Sequence, residues 1–410
     1  MKNEDGCCRV CGAQLGASFA DLGQSPLANS YLTTEMLGKR EAYYPLHARL
    51  CESCFLVQLD TSIDPSEIFE HYLYLSSHST SWLEHARLYC EAMIGRLGLG
   101  KSSLVVEVAS NDGYLLKNFV AAGIPVLGVE PAQNIAELAR ERGIPTRSVF
   151  FSAATADTLR KDGFRPDLTC ANNVLAHVPD INDFVEGFRI LLGRQSVATF
   201  EFPHLLKLID ESQFDTIYHE HYSYLSLLAV ERLFDRHGLA VFDVQQVPTH
   251  GGSLRIFAAH KGARATEPAV VALRAAETKA GLDRATTYAD FSRKIVKVKC
   301  DVLEFLIARQ REGKKVVGYG APAKGNTLLN YCGIGREFMP FTVDLSPQKQ
   351  GHYLPGTHLP ILAPEAIYAA KPDYIFILPW NLKDEIAQQL AEVRKFGAKF
   401  VTAIPELRIW

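Results

Sequence analysis

From Ser103 onward, short apolar runs alternate with segments whose apolar positions recur at helical spacing. SLVVEVASNDGYLL is an apolar strand running into a turn and then a helix. PVLGVEP is a second strand, followed by the helix AQNIAELARERG. TRSVFFS, LTCANNVLAHV and VATFEFPH read as the third, fourth and fifth, the last preceded by the helix DFVEGFRILLG. LAVFDVQQVP and SLRIFAAH follow as a β-pair. Strands alternating with helices predict a doubly wound parallel sheet, and the closing pair predicts an antiparallel edge. A helical stretch rich in Ala, Lys and Glu runs from about Ala269 to Arg311, interrupted near Gly281. The remaining chain restarts an α/β pattern: KVVGYG as strand, APAKGNTLLNYCG as turn and helix, then FMPFTVDLS, YIFILPW and KFVTAIP as strands.

The N-terminal part reads differently. Up to about residue 70 it is loop-rich, with the turn formers DLGQSPLANSY and the short strand-like pieces LHARL and FLVQLD. A polar-aromatic stretch, HYLYLSSHSTSW, leads into the amphipathic helix WLEHARLYCEAMIGRLGL. Three domains are therefore expected, at residues 1–70, 71–310 and 311–410, which suits a chain of 410 residues.

Charge and composition narrow the partners. A net charge of −3 gives no basic nucleic-acid footprint and no polybasic membrane patch. The longest apolar runs are strand-sized, well short of the ~20 residues of a membrane span. The MKNEDGCC start lacks the apolar core of a signal peptide. The expectation is a cytoplasmic protein with reduced thiols, no nucleic-acid partner and no membrane partner.

In that setting the cysteines become informative. Cys8-x-x-Cys11 and Cys51-x-x-Cys54 each place two thiols on one tight turn. Two facing turns give the tetrahedral four-sulfur geometry of structural zinc. Four cysteines leave no open coordination position, so the metal is read as structural. Cys7 could replace Cys8 as a ligand, but only Cys8 has the two-residue spacing to Cys11. Cys90, Cys170, Cys300 and Cys332 read as packing residues.

In doubly wound sheets, ligands bind beyond the carboxyl ends of the strands. The first strand ends in Glu107-Val-Ala-Ser-Asn-Asp-Gly113, placing Glu107, Ala109, Asn111, Asp112 and Gly113 at that turn. The second ends in Gly128-Val-Glu-Pro131, where Glu130 beside Pro131 suits a ribose diol. The turn is not a GxGxxG, and it carries acid and amide groups where a pyrophosphate wants bare backbone. A sulfonium with an amino-acid tail fits better, namely S-adenosylmethionine, with Asn172 and Asn173 adding contacts from the fourth strand. The bland alternative is that Asp112 merely caps the next helix.

Tyr218-His219-Glu220-His221-Tyr222 follows the fifth strand, on the rim facing that cofactor. His177 ends the fourth strand, Tyr72 and Tyr74 lead into the domain, and His250-Gly251 sits in THGGSLR, whose glycines let a ligand approach the backbone. For His250 and the tyrosines, packing is as good a reading as chemistry.

Taken together, EVASNDGYLL, GVEP, YHEHYSY, THGGSLR and GYGAPAKGNTLLNYCGI resemble the nucleotide-sugar C-methyltransferases of deoxysugar biosynthesis, over essentially the whole chain. The resemblance implies an α/β protein: a class I, Rossmann-like S-adenosylmethionine methyltransferase domain, a small N-terminal zinc-binding domain and a C-terminal Rossmann-like domain that helps hold a nucleoside-diphosphate sugar. It implies methylation at C-3 of a 4-keto sugar, commonly dTDP-linked. His221 corresponds to the family's general base, with Tyr218 and Glu220 beside it and His177 and Tyr72 at further active-site positions. The chemistry agrees. A C–H beside a ketone is a weak acid, a histidine titrates near working pH, and donors must steady the enolate oxygen. Glu220 is expected to orient His221 or raise its basicity.

Gly318-Tyr-Gly-Ala-Pro-Ala-Lys-Gly325 is a turn into a helix that could hold a phosphate, with Lys324 adding charge. Asp344 falls where a dinucleotide fold keeps its ribose acid, and Trp380 is a candidate for stacking a base. Tyr222, His250, Gly251, Lys324 and Trp380 are thus the expected substrate contacts. The rival readings are an O-methyltransferase, an NAD-linked oxidoreductase, and a zinc-ribbon binding module.

Overall fold

The computed structural model describes residues 6–60, 63–64, 77 and 80–410. The N-terminal strands are β1 (Ser18–Ser25), β2 (Tyr44–Leu50) and β3 (Val57–Leu59). On β2, Leu46, Ala48 and Leu50 are buried and alternate with more open residues, as in a sheet covered on one face. Strand β1 corrects the reading of DLGQS as a free turn. Its register shifts between Asp21 and Gln24, where Gly23 has φ 73° and donates its N–H to Asp21 Oδ1 at 2.9 Å. The turn-forming residues are absorbed as a bulge within the strand.

After helix α1 (Thr80–Leu97) come β4 (Val105–Val108), α2 (Leu116–Ala121), β5 (Val126–Val129), α3 (Gln133–Glu141), β6 (Thr146–Arg147), α4 (Ala153–Lys161), β7 (Leu168–Asn172), α5 (Ile181–Leu191), β8 (Val197–Pro203) and α6 (Leu205–Asp210). The short strand β9 (Ser223–Tyr224), helix α7 (Leu227–Arg236), and strands β10 (Leu239–Val247) and β11 (Ser253–His260) complete this part. Its seven-stranded sheet has the order β10-β11-β8-β7-β4-β5-β6. The strands from β6 to β8 are parallel, while β11 pairs antiparallel with β8 and β10 with β11. This is the doubly wound sheet with an antiparallel edge that the pattern predicts. Two expected strands are shorter than their apolar runs. Asn173, at φ 56°, ends β7, and Leu175–His177 forms a 3-10 turn. Past β6, Val149 and Phe150 leave the sheet and are exposed.

The helices α8 (Pro268–Ala280), α9 (Ala285–Ala289) and α10 (Phe291–Arg311) follow, with Gly281 at φ 84° stopping α8. The last sheet contains β12 (Val316–Tyr319), β13 (Thr342–Val343), β14 (Ile361–Leu362), β15 (Tyr374–Ile377), β16 (Lys399–Thr402) and β17 (Arg408–Ile409), with α11 (Ala323–Cys332), α12 (Glu365–Ala370) and α13 (Lys383–Gln389) between them. Its order is β14-β13-β12-β15-β16-β17, parallel except for β17.

Two joints tie the sheets together. β9 pairs with β3 (Val57 opposite Tyr224, Gln58 opposite Ser223), so the N-terminal sheet takes its fourth strand from the segment between α6 and α7. A shared core also joins the first and last sheets: Phe19 stacks on Phe291 at 4.5 Å, beside Val302, Phe305, Leu328, Phe376 and Leu378.

Candidate functional site

The four knuckle cysteines converge. Cys8 Sγ lies 3.4 Å from Cys54 Sγ, Cys11 Sγ lies 3.5 Å from Cys51 Sγ, and all four are within 4.8 Å of one another. Sulfurs around a tetrahedral zinc at about 2.3 Å stand roughly 3.8 Å apart, so the donor set fits that ion. Each turn ends on a left-handed residue, Gly12 at φ 77° and Phe55 at φ 61°. Cys7 stays outside, its sulfur accepting from Gln14 Nε2 at 3.2 Å, so Cys8 is the member with the right geometry. The knuckles also grip the neighbouring domain. Asn182 Nδ2 donates to the carbonyls of Arg9 (2.6 Å) and Val10 (3.2 Å), and Arg232 donates to that of Ser53 (2.7 Å).

The predicted cofactor residues gather at the carboxyl ends of β4, β5 and β7. Ala109, Asn111 and Gly113 all have positive φ, which folds the turn back over the strand ends. Glu130 is pinned there: Oε2 accepts from the Asn111 N–H at 2.9 Å and Oε1 from the Ala132 N–H at 3.0 Å, across Pro131. Burial raises its pKa, while those N–H bonds pull it back. Burial, with Glu130 and Asp112 nearby, drives Glu107 well above the carboxylate range. Asp112 does not cap α2, which starts at Leu116 without a side-chain cap; its Oδ2 accepts from Arg142 at 2.7 Å. Glu107 Oε2, Ser110 Oγ, Asp112 Oδ1, Asn172 Oδ1 and Asn173 Oδ1 are buried without a hydrogen-bond partner among the described residues. Such a cluster of orphaned polar atoms is costly unless a ligand pairs with them. S-adenosylmethionine offers an ammonium, ribose hydroxyls and an adenine amine, so the residues fit it.

The structure distributes the Tyr-His-Glu-His-Tyr run. Tyr218 and His221 stay together, ring centroids 4.0 Å apart, and His177 meets His221 edge-on at 4.6 Å. His219 instead bonds the Pro45 carbonyl at 3.1 Å through Nε2, docking on β2. Glu220 accepts from Asn29 Nδ2 at 2.6 Å and is pushed by burial to about 7. Tyr222 is fully buried and donates to the Ile63 carbonyl at 2.7 Å, under Arg9. Of these five residues, two therefore form the chemical cluster and three hold the N-terminal module in place. Tyr72 and Tyr74 lie outside the described residues.

His221 Nδ1 is 2.7 Å from the Thr216 carbonyl, which only accepts, so Nδ1 carries the proton and Nε2 keeps its lone pair. Thr216, rather than Glu220, thus orients the ring. Burial holds His221 well below the usual histidine value, helped by His177, His250 and Lys324. Burial lowers His177 and His250 to about 4 each. The cluster is neutral at pH 7.

His250 stands at φ 55° with Nε2 3.4 Å from Asn173 Nδ2 and its ring 5.2 Å from Trp82. Its turn rests on a group that sequence reasoning missed. Glu201, fully buried on β8, is bonded by His85 Nε2 (2.9 Å), Thr249 Oγ1 (3.0 Å) and Arg255 (2.7 Å); burial raises its pKa, but His85 and Arg255 outweigh that and hold it at about 2. An acid inside the apolar run VATFEF was the available signal. Asp215, directly upstream of the histidine run, was also missed. It accepts from Trp380 Nε1 at 2.7 Å, and burial raises it to about 6.

Trp380 is therefore locked at a joint: its ring abuts Gly251, where an added Cβ would run into it. Lys324 Nζ lies 4.7 Å over the same ring and donates to Asn381 Oδ1 at 2.9 Å. Asp344 is engaged by backbone. Its carboxylate accepts from the N–H groups of Ala321 (2.7 Å) and Ser346 (2.8 Å), tying down the glycine-rich loop.

A sheet of this order, with orphaned polar atoms at its strand ends and neutral histidines beside them, defines a methyltransferase of the S-adenosylmethionine-dependent class. Family profiles agree along the chain: residues 8–69 match a zinc binding domain, residues 82–244 a methyltransferase domain, and residues 248–405 a C-methyltransferase C-terminal domain. The chain is 37% identical over 403 residues to C-methyltransferase NovU of Streptomyces niveus, covering 98% of this chain and 96% of that one. It belongs to this C-methyltransferase family. Among solved structures, it is similar to an S-adenosylmethionine-dependent methyltransferase from Clostridium acetobutylicum ATCC 824 (12% identity, TM-score 0.36, 44% of this chain and 92% of that one). It is also similar to magnesium protoporphyrin IX methyltransferase from Synechocystis PCC 6803 (13% identity, TM-score 0.33, 48% and 89%). Among the described residues, no helix is long and apolar enough to cross a membrane.

Proposed function

We propose that this C-methyltransferase acts at C-3 of a nucleoside-diphosphate 4-keto-6-deoxy sugar, dTDP-linked, with His221 as the base. The observation that carries the reading is the Thr216 carbonyl on His221 Nδ1, which leaves an uncharged Nε2 lone pair inside the cluster. A ketone makes its neighbouring C–H acidic enough for such a base. Tyr218 and His177 frame the ring and are suited to bond sugar oxygens. Glu107, Asp112, Glu130, Asn172 and Asn173 would hold S-adenosylmethionine, which supplies an electrophilic methyl when bound. His250 and Gly251 line the site with Trp380 packed on their turn, Glu220 and Tyr222 support it by seating the N-terminal module, and Tyr72 belongs to the same reading. The division at 1–70, 71–310 and 311–410 is proposed as the functional one, with the last part contributing to the sugar-nucleotide site. A cytoplasmic location fits four reduced thiolates on zinc.

The test is product mass after incubation with S-adenosylmethionine and a panel of nucleoside-diphosphate 4-keto sugars. We expect one added methyl and loss of the C-3 proton signal. His221→Ala should abolish turnover and leave cofactor binding by calorimetry intact. Methylation at oxygen, or undiminished turnover of the variant, would overturn the reading.

A further inference from the structure

Helix α11 contributes a lysine beside the neutral histidines, and the geometry says what it is for. Lys324 opens α11, which packs on the turn Phe214–Thr216 that holds His221. Its ammonium is not aimed at the glycine-rich loop beside it. Of the loop N–H groups ahead of α11, Gly320 bonds the Val343 carbonyl at 2.6 Å and Ala321 bonds Asp344, and Pro322 has no N–H. An Asp344 carboxylate against the loop also opposes a phosphate there. Lys324 reaches instead to Asn381 and lies over Trp380, which Asp215 pins by its indole N–H and which packs on Gly251, next to His250. The ammonium thus sits on Trp380, which is bonded to the turn that holds His221, through Asp215, and packs on the turn that carries His250.

Resting on the reading above, we propose that Lys324 is the electrophilic residue that stabilises the enolate oxygen when the substrate ketone is deprotonated, rather than a ligand of the diphosphate. In that step the C-3 proton passes to His221 Nε2. The C–H electron pair becomes the C-3–C-4 π bond, and the carbonyl π pair moves onto oxygen as the enolate, facing Lys324 Nζ. A fixed cation at that oxygen acts in the transition state more than in the ground state. Asn381 and Trp380 fix the ammonium. Burial lowers the Lys324 pKa, and the Asp215 carboxylate opposes that shift.

The experiment separates deprotonation from methylation. Full-length protein, S-adenosylhomocysteine and the keto sugar nucleotide are incubated in deuterated water, and exchange at C-3 is followed by NMR. Calorimetry with the nucleoside diphosphate alone reports phosphate contacts. For Lys324→Met we expect exchange to slow by about 100-fold or more at saturating substrate, with the nucleoside diphosphate bound within about threefold of wild type and the melting temperature retained. Asn381→Ala should slow exchange less, with the same split. The opposite split, with binding lost and saturated exchange preserved, would assign Lys324 to the diphosphate and overturn the proposal. Absence of exchange by wild type on every ketone tested would remove the proposed function itself, and this inference with it.

Discussion

A histidine serves as a base only while neutral, and burial keeps His221 neutral at the cost of basicity. Because its pKa sits well below 6.5, kcat/KM should hold its plateau from pH 8 down to about 6 and fall only at more acid pH. A pH–rate profile with an acid limb centred at or above the ordinary histidine value would show that the ring is not in this environment. Stability reports several titrations at once, and His221, held well below 6.5, itself favours the unfolded chain as pH falls. His177 and His250, lowered to about 4, favour the unfolded chain as pH falls from 6.5 toward 4. Glu220 and Asp215, raised to about 7 and about 6, favour the folded chain as pH falls toward the ordinary carboxylate range. The two pairs are of similar size and opposite sign.

At the scale of elements, the turn Thr249–Gly251 is the most constrained piece of the site. Glu201 holds it from below, and Trp380 presses on it from the other side. Gly251 has φ 92°, so Gly251→Ala meets both backbone strain and the indole. We expect a loss of about 1–3 kcal/mol and a large fall in turnover with cofactor affinity kept. A variant with wild-type melting and rate would mean that the turn can relax away. Much of this layer was legible beforehand. VVEV, LTCAN and VATFEF are apolar runs because parallel strands are buried on both faces, and LAVFDVQQV and SLRIFAAH gave the edge pair directly. Spacing alone placed the four cysteines. The pairings that depend on distant chain stayed hidden. Nothing in YHEHY marks Glu220 for Asn29 or His219 for Pro45, and nothing in FEFP marks Glu201 for His85, because such partners are chosen by tertiary packing. The 2-residue strands β9, β14 and β17 carry too little pattern to be read, whereas β6 and β13 lie inside the apolar runs TRSVFFS and FMPFTVDLS.

For the whole molecule, the domains are not separable beads. The knuckle cysteines Cys8, Cys51 and Cys54 pack in the same core as Phe188 and Phe200, and α10 is sandwiched between the first and last sheets. Removing the metal, by chelation or by Cys54→Ser, should lower the melting temperature by roughly 5–10 °C if it costs a few kcal/mol. Activity should fall in step with metal content measured by spectrometry. Full activity in metal-free protein would argue that the sulfurs are held by packing alone. The strand β9 carries a further consequence. It begins two residues after His221 and completes the sheet at the opposite end of the chain. The unit that can be exchanged between relatives is therefore discontinuous. Grafting a foreign N-terminal module alone mismatches an edge strand and, with it, the reach of the base. A chimera should transplant that module together with the segment from the Thr216 turn to Tyr224, as one inherited piece written in two places.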